Sequence, residues 1–201
     1  MYKLYDFASS GNSYKVRLLL NQLEIAYQRI PVNIVKKGSR TPEFLAKNPN
    51  GRTPVLEIET GKFLAESNAI LFYLSQDTEY FPEDIWQRSL VMQWLFFEQY
   101  SHEPNLATSR YWISILGKAE EYKEELAKKQ KLGYAALEIM EKHLSKQDFF
   151  VGDRYTIADI GLFAYTHVAE EGNFDLSGFS AILAWIERVK AQPKYISIKH
   201  L

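Results

Sequence analysis

Three short groups of polar residues carry side chains that could bind or activate a small ligand. The first lies in FASSGNSYKVRLLL at residues 7–20, where Ser9, Ser10, Asn12 and Ser13 come directly before an apolar helical stripe. Hydroxyl and amide groups at a helix start can cap the helix, or they can hold an anion that the helix dipole also attracts. From these residues alone, both interpretations stay open.

The second group is NGRTPV at residues 50–55, which places Pro54 at the entry to a predicted strand. An X-Pro bond has lost most of the trans preference, so the Thr53–Pro54 bond could be cis. A cis bond would turn the backbone N–H and C=O of Thr53 outward, where an extended peptide ligand could pair with them. The alternative is an ordinary trans proline that starts an edge strand.

The third group, Glu66-Ser67-Asn68, stands at a predicted helix start, where backbone N–H groups lack partners and the dipole favours an anion. A carboxylate could dock there against the Ser67 hydroxyl, or Ser67 could simply cap its own helix. A further group, TIAD at residues 156–159, matches a capping box, and we interpret it as purely structural.

Composition limits the possible chemistry. The chain has no cysteine, so any sulfur chemistry must use the sulfur of a bound ligand. The four histidines are not at metal-ligand spacing, so we predict no metal site, and we expect His167 to be a hydrogen-bonded core residue. With 24 basic and 25 acidic residues interspersed, neither nucleic acid nor an anionic membrane is an expected partner. No signal peptide or membrane helix is recognisable, which predicts a cytoplasmic protein.

Hydrophobic periodicity predicts elements of alternating type in the first eighty residues. Residues 2–7 read as a strand, and an apolar stripe at helical spacing predicts a helix over residues 13–24. The alternating segment YQRIPVNI predicts a strand that Pro31 restricts to a sheet edge. A short helix begins at Pro42, and two strands flanking Gly61 predict a hairpin. The predicted order is β-α-β-α-β-β, followed by the helix of the third group.

The remainder of the chain is predicted to be helical. The polar segment QDTEYFPE suggests a linker at residues 77–83, between a first domain at 1–76 and an all-helical domain at 84–201. Apolar stripes predict four helices in that second domain, at about 84–116, 119–146, 156–170 and 179–191.

These features together resemble a cytosolic glutathione S-transferase. The resemblance covers essentially the whole chain and rests mainly on NPNGRTPVLE at residues 48–57 and ESNAI at 66–70, whose order and spacing are specific to that family. The helical half alone would be weak evidence. Among the classes, the chain is similar to the bacterial, serine-type members of the theta, zeta, beta and nu groups.

The resemblance implies a thioredoxin-like N-terminal domain that binds glutathione, an all-helical C-terminal domain and a homodimer. Aligned on Val16, Ser10 takes the position of the thiol-activating residue, and Asn12 that of an asparagine that faces the glutathione sulfur in nu-type members. Tyr5 lies near the catalytic tyrosine of other classes and ranks below Ser10. The residues that the resemblance assigns to glutathione are Ser10, Asn12, Arg40, Arg52, Thr53, Pro54, Glu66 and Ser67.

The expected role of Ser10 is to donate a hydrogen bond, since no His–Asp arrangement would make it a nucleophile. A free thiol has a pKa near ~8.5, and lowering it by about two units, or roughly 2.7 kcal/mol, makes the thiolate the main species at pH 7. The Ser10 hydroxyl, the Asn12 amide and the helix N-terminus could together supply that.

We expect the electrophile to lie between the domains, against Arg110, Tyr111 and Trp112, with the arginine available to an anionic group and core packing as the alternative for Trp112. The resulting hypothesis is a glutathione transferase that acts on a small electrophile. The alternatives are a glutathione-dependent disulfide or peroxide reductase, and a transferase-like scaffold that has lost catalysis.

Overall fold

The computed structural model describes all 201 residues, and the chain divides into two compact units. The first unit comprises Met1–Gln76 together with Pro193–Leu201, and the second comprises Asp77–Gln192.

The first unit is built on a mixed four-stranded sheet. Its strands are β1 (Tyr2–Asp6), β2 (Tyr27–Pro31), β3 (Val55–Glu59) and β4 (Lys62–Ala65), in the order β2-β1-β3-β4. β1 and β2 are parallel, whereas β3 is antiparallel to both β1 and β4. The helices are α1 (Gly11–Gln22), α2 (Pro42–Leu45) and α3 (Ser67–Leu74). The predicted order of elements is confirmed, and the proline-bearing strand β2 is an edge strand.

The two faces of the sheet bury different residues, because neighbouring side chains on a strand point to opposite sides. Asp6 forms a buried ion pair with Arg17 of α1, which places this face of β1 against α1. Tyr5 packs edge-to-face on Phe44 of α2, with ring centroids 6.4 Å apart, on the other face. Thr41 caps α2 as predicted, since its hydroxyl accepts from the Phe44 N–H at 3.3 Å.

The C-terminal segment corrects the predicted domain boundaries. The sequence predicts that residues 193–201 belong to the helical domain, but they belong to the first unit. Three α1 side chains donate to its backbone carbonyls: Tyr14 to Ile196 at 2.7 Å, Arg17 to Ile198 at 3.0 Å, and Asn21 to Lys194 at 2.7 Å. Periodicity could not reveal this docking because the segment forms neither helix nor strand.

The second unit is helical. Its helices are α4 (Ile85–Phe97), α5 (Glu103–Arg110), α6 (Lys123–Leu144), α7 (Ile157–Thr166) and α8 (Ser180–Lys190). The predicted helix at 84–116 is present as α4 and α5 with π-helical turns at Glu98–His102 and Tyr111–Ile115. α6 begins four residues later than predicted because the preceding polar residues form a turn. None of the helices combines the length and apolar character needed to cross a membrane.

The predicted capping box is confirmed at the start of α7. The buried Asp159 carboxylate accepts from the Thr156 N–H at 2.9 Å, from the Phe150 N–H at 3.2 Å and from the Trp185 ring N–H at 2.9 Å. Burial raises the pKa of Asp159 to about 6, although these hydrogen bonds favour the charged form. The capping box therefore also ties three parts of the helical unit together.

Candidate functional site

One edge of the sheet gathers the three polar groups that the sequence separates. Tyr5 of β1 lies opposite Val55 of β3, and Val55 lies opposite Ala65 of β4. Beyond this row, β1 leads into residues 7–10, β3 is preceded by Pro54, and β4 leads into the start of α3. The strand register thus brings the groups to the same end of three adjacent strands.

Ser10 is the N-cap of α1. Its backbone is extended, with φ −77° and ψ 125°, and its hydroxyl oxygen accepts from the Ser13 N–H at 3.2 Å. In this hydrogen bond the hydroxyl acts as the acceptor, so its own hydrogen remains to be donated to another group. The capping and ligand-binding interpretations of this serine are therefore compatible.

The Ser67 hydroxyl links the starts of α1 and α3. Its Oγ donates to Asn12 Oδ1 at 3.3 Å and accepts from Lys15 Nζ, also at 3.3 Å. Of the two alternatives for Ser67, the one in which it caps its own helix is wrong. Ser67 is the first residue of α3, the N-cap is Glu66, and no side chain caps this end. The Ser67 hydroxyl points instead across to α1.

Lys15 is a further residue of this site that was not predicted from the sequence. Its side chain is fully buried, and Nζ also donates to Asn68 Oδ1 at 3.3 Å. The one signal in the sequence is the position of this lysine within the helical stretch YKVRLLL, which is buried throughout, since a buried charged side chain needs partners. Those partners lie more than fifty residues away, so the sequence could not name them.

Glu66 has an unusual backbone conformation, with φ 66° and ψ 115°. Non-glycine residues rarely adopt positive φ, and such strain typically costs about 1 to 3 kcal/mol and concentrates at functional sites. Glu66 is exposed and immediately precedes the first turn of α3, whose N–H groups are not capped by a side chain. This end of α3 can therefore accept an anion, with a carboxylate next to it.

The turn before β3 contains the second polar group, and the Thr53–Pro54 bond in it is cis. Asn48 braces this turn by donating to the carbonyl of Arg52 at 2.9 Å. The guanidinium of Arg40 donates to the carbonyl of Asn50 at 3.0 Å. The structure therefore brings Arg40 to the same turn as Arg52, with both side chains exposed.

Tyr5 is engaged on the far side of the sheet from α1. Its hydroxyl donates to Glu57 Oε2 at 2.9 Å, and its ring packs against Phe44 and Phe63. Burial, followed by the hydrogen bond to Glu57, raises the pKa of the Tyr5 phenol. This environment does not suit a tyrosine that would activate a thiol, in agreement with its low ranking.

The proposed electrophile residues have partners within the helical unit. Arg110 is only 7% exposed, and its Nε donates to Glu171 Oε2 at 2.8 Å. The expectation that Arg110 is available to an anionic substrate is therefore not supported. Trp112 stacks on Tyr122 with ring centroids 4.4 Å apart, and Tyr111 is half-buried.

Three of the four histidines make side-chain hydrogen bonds within the helical unit. His102 pairs with the Thr166 hydroxyl at 2.8 Å, and His167 pairs with the Phe163 carbonyl at 2.7 Å. Burial lowers the pKa of His167 to about 4. No group of three histidine, aspartate or glutamate side chains could hold a metal ion.

The mixed four-stranded sheet, with α1 on one face and α2 on the other, followed by an all-helical unit, defines a thioredoxin-like domain joined to a helical domain. The family profile "Glutathione S-transferase, N-terminal domain" matches residues 1–76, and "Glutathione S-transferase, C-terminal domain" matches residues 105–193. The chain belongs to the glutathione S-transferase family, which confirms the resemblance and the predicted fold class.

Two relatives carry different reaction names. The maleylacetoacetate isomerase of Rhizobium meliloti is 34% identical over 90% of this chain and 87% of its own. The disulfide-bond oxidoreductase YfcG of Escherichia coli is 29% identical over 96% of this chain and 92% of its own.

Solved structures agree with the fold. A glutathione S-transferase from Pseudomonas fluorescens superposes with a TM-score of 0.96 at 49% identity, covering 98% of each chain. A glutathione transferase from Burkholderia graminis, with two glutathione molecules bound per subunit, has a TM-score of 0.82 at 26% identity, covering 96% of this chain and 85% of its own.

Proposed function

We propose that this protein is a glutathione transferase that binds reduced glutathione in its first unit and directs the thiolate at a small electrophile. The observation that carries the proposal is the Ser10 hydroxyl at the N-terminus of α1, which has a hydrogen to donate and is followed by the Asn12–Ser67 pair. Since the chain has no cysteine, the reactive sulfur belongs to the ligand.

In this proposal, Ser10 and Asn12 donate to the sulfur, and the positive end of α1 adds to their effect. Each donor favours the thiolate over the thiol, so their combined effect is to lower the thiol pKa toward neutral pH. Ser10 caps α1 with its lone pair and stabilises the anion with its hydrogen, and the two tasks do not compete.

In this proposal, the other groups of the tripeptide contact different elements along the sheet edge. The backbone N–H groups at the start of α3 take the γ-glutamyl carboxylate, and the Glu66 carboxylate takes the neighbouring amino group. The backbone of Thr53, beside Pro54, pairs with the cysteinyl unit, and Arg40 or Arg52 pairs with the glycyl carboxylate. The hydrogen bond from Ser67 to Asn12 supports giving the carboxylate to backbone donors rather than to the Ser67 hydroxyl.

Calorimetric titration with reduced glutathione tests the binding site. We expect Glu66→Ala to weaken binding relative to the wild type because it removes the carboxylate proposed for the amino group. We expect the same of Ser67→Ala because it removes the hydroxyl that links α3 to Asn12. Glu59→Ala, at an exposed position at the far end of β3, is the matched control. Wild-type affinity in both site variants would refute the proposed assignment of the γ-glutamyl end to Glu66 and the start of α3. An absence of binding at millimolar glutathione would favour the scaffold alternative.

Tyr111 and Trp112 are the residues that we propose to contact the electrophile, while Arg110, paired with Glu171, contributes to the structure of the helical unit. A panel of haloarenes, hydroperoxides, mixed disulfides and a cis-trans isomerisation substrate would identify the reaction class. Tyr111→Ala should change the ranking of these substrates and leave glutathione binding unchanged; an unaltered ranking would remove Tyr111 from the pocket.

Glutathione-dependent disulfide reduction is the second candidate. It is favoured by the relative named as a disulfide-bond oxidoreductase and by the similar structure with two glutathione molecules per subunit. One glutathione thiolate would attack the substrate disulfide and release the first substrate thiol. A second would attack the mixed disulfide, form glutathione disulfide and release the second substrate thiol. Glutathione disulfide formation that matches substrate reduction, without a glutathione conjugate, would favour this reaction.

We further propose a homodimer. Both units expose large aromatic side chains, including Phe72 and Tyr73 in α3 and Trp86 in α4, which is 68% exposed. Exposed aromatic side chains are enriched at protein interfaces. Light scattering that gives a monomer mass at micromolar concentration would refute this proposal.

A further inference from the structure

Lys15 is a buried side chain that the proposed ligand contacts do not use. It lies in the second turn of α1, has no exposed surface, and donates from Nζ to Ser67 Oγ and Asn68 Oδ1, both at 3.3 Å. These distances are at the long end of the hydrogen-bond range. Both acceptors belong to the first turn of α3, so this lysine links the start of α1 to the start of α3.

The hydrogen bonds from Lys15 have a fixed direction, because a lysine ammonium has three donors and no acceptor. Ser67 Oγ must therefore accept from Lys15. A serine hydroxyl has a single hydrogen, and in Ser67 it is donated to Asn12 Oδ1 at 3.3 Å. In this contact the Asn12 side chain uses its oxygen as the acceptor, so the NH₂ group is the end of the amide that can donate.

We propose that Lys15 is a positioning residue that sets the direction of the chain Lys15–Ser67–Asn12, so that Asn12 presents its amide N–H, and not its carbonyl oxygen, to the thiolate. This inference rests on the proposed function. It adds a residue and a physical role to the same site: Lys15 acts on the sulfur through two intervening side chains.

The orientation of Asn12 matters because the two ends of an amide have opposite effects on an anion. The N–H stabilises a neighbouring thiolate, whereas the carbonyl oxygen, which carries partial negative charge, opposes it. Without the donor at position 15, the Ser67 hydroxyl can rotate and the amide of Asn12 can turn over. The loss would then appear in the ionisation of the ligand rather than in the fold.

The test is to measure the thiol pKa of bound glutathione. The ultraviolet absorbance of the thiolate, recorded at saturating ligand as pH is varied, reports this pKa. Lys15→Met keeps the length of the side chain and removes its donors, and we expect it to raise the thiol pKa by about one unit. Lys15→Arg, which is also donor-only, should keep the wild-type value. A thiol pKa unchanged in Lys15→Met would overturn the inference.

A second measurement separates positioning from a direct effect of the lysine charge. In an Asn12→Ala background, Lys15→Met should leave the thiol pKa unchanged, because the last member of the chain is missing. A further rise in that background would mean that the charge acts on the sulfur directly and would overturn the inference. If Lys15→Met does not fold, Ser67→Ala interrupts the same chain and must raise the thiol pKa by a similar amount.

The inference and the proposed function fail in different ways. If wild-type protein does not bind glutathione, or binds it without lowering the thiol pKa, the proposed function itself is wrong. If the wild type lowers the thiol pKa and Lys15→Met lowers it equally, only the role of Lys15 is wrong.

Discussion

Ser67 donates a hydrogen bond to Asn12 across 55 positions of sequence, at 3.3 Å, and this contact joins the N-termini of α1 and α3. Both helix ends carry partial positive charge. In the proposed complex one of them faces the thiolate of glutathione and the other faces its γ-glutamyl carboxylate. A single side-chain contact thus holds together the two anion sites that one ligand would occupy.

Ser10→Ala should reduce activity at pH 7 by about tenfold to a hundredfold, with recovery of the rate at higher pH as more thiol ionises without help. It should also lower the free energy of unfolding by about 1 kcal/mol, because the N-cap of α1 is lost. The measurements are a pH–rate profile and urea unfolding.

Ser10→Asp separates these two effects. Aspartate is a good N-cap, so stability should remain near that of the wild type, but it has no hydrogen to donate and places a negative charge beside the sulfur. We expect activity to fall at least as far as in the alanine variant. Activity close to wild type in either variant would remove Ser10 from the mechanism.

Tyr5→Phe should retain activity within about twofold, because the phenol hydroxyl is engaged with Glu57. Stability should fall by about 1 kcal/mol for the lost hydrogen bond. Steady-state kinetics with glutathione as the varied substrate would check this. A loss of activity as large as that of Ser10→Ala would mean that the protein uses a tyrosine after all.

Glu66→Gly should separate stability from binding. Glycine accepts positive φ without strain. Relief of the backbone strain at φ 66° should therefore stabilise the fold by about 1 kcal/mol. Loss of the carboxylate should weaken glutathione binding. Glu66→Ala is the matched control, since it removes the same carboxylate and keeps the strain; equal stability of the two variants would show that the backbone is not strained.

Asp6→Asn should lower the free energy of unfolding by about 3 to 5 kcal/mol, because it leaves the fully buried Arg17 without its charged partner. Glu24→Gln removes the exposed ion pair with Lys194 and should change stability by less than about 1 kcal/mol. Urea unfolding of both variants measures the difference. Similar small losses in both would contradict the contribution assigned to the buried pair.

His167 should make the fold less stable in acid. Its pKa falls from 6.5 to about 4 on folding, so between these values the unfolded chain binds more protons, and stability is lost as pH decreases. From pH 7 to pH 5 this amounts to about 2 kcal/mol. His167→Asn should remove that dependence, which thermal unfolding at both pH values would reveal.

Asp159 acts in the opposite direction. Its pKa rises from 3.8 to about 6 on folding, so between these values the folded state binds more protons, and stability increases as pH decreases. Both proteins in the His167 comparison contain this aspartate, so its contribution cancels in the difference. An identical pH dependence in wild type and His167→Asn would contradict the assignment.

The order of elements and the three polar groups could be predicted from the sequence, because each depends on neighbouring residues. An apolar stripe specifies a helix face, and a proline next to a strand or a Thr-x-x-Asp pattern fixes the chain locally. The capping box at residues 156–159 was predicted in detail for this reason. The sequence left open which of Ser9, Ser10, Asn12 and Ser13 caps the first helix and predicted that helix from residue 13, whereas α1 begins at Gly11 with Ser10 as its N-cap.

Only the tertiary structure decided which partners the buried polar groups have. In the fold, Lys15 donates a hydrogen bond to Ser67, Arg110 forms an ion pair with Glu171, and the C-terminal segment packs on α1. A buried charge requires a partner. The sequence indicates that a partner is needed, but it does not show which residue is that partner. Partners distant in the chain become neighbours only when the register of the sheet and the packing of the helices are fixed, and these are properties of the whole fold.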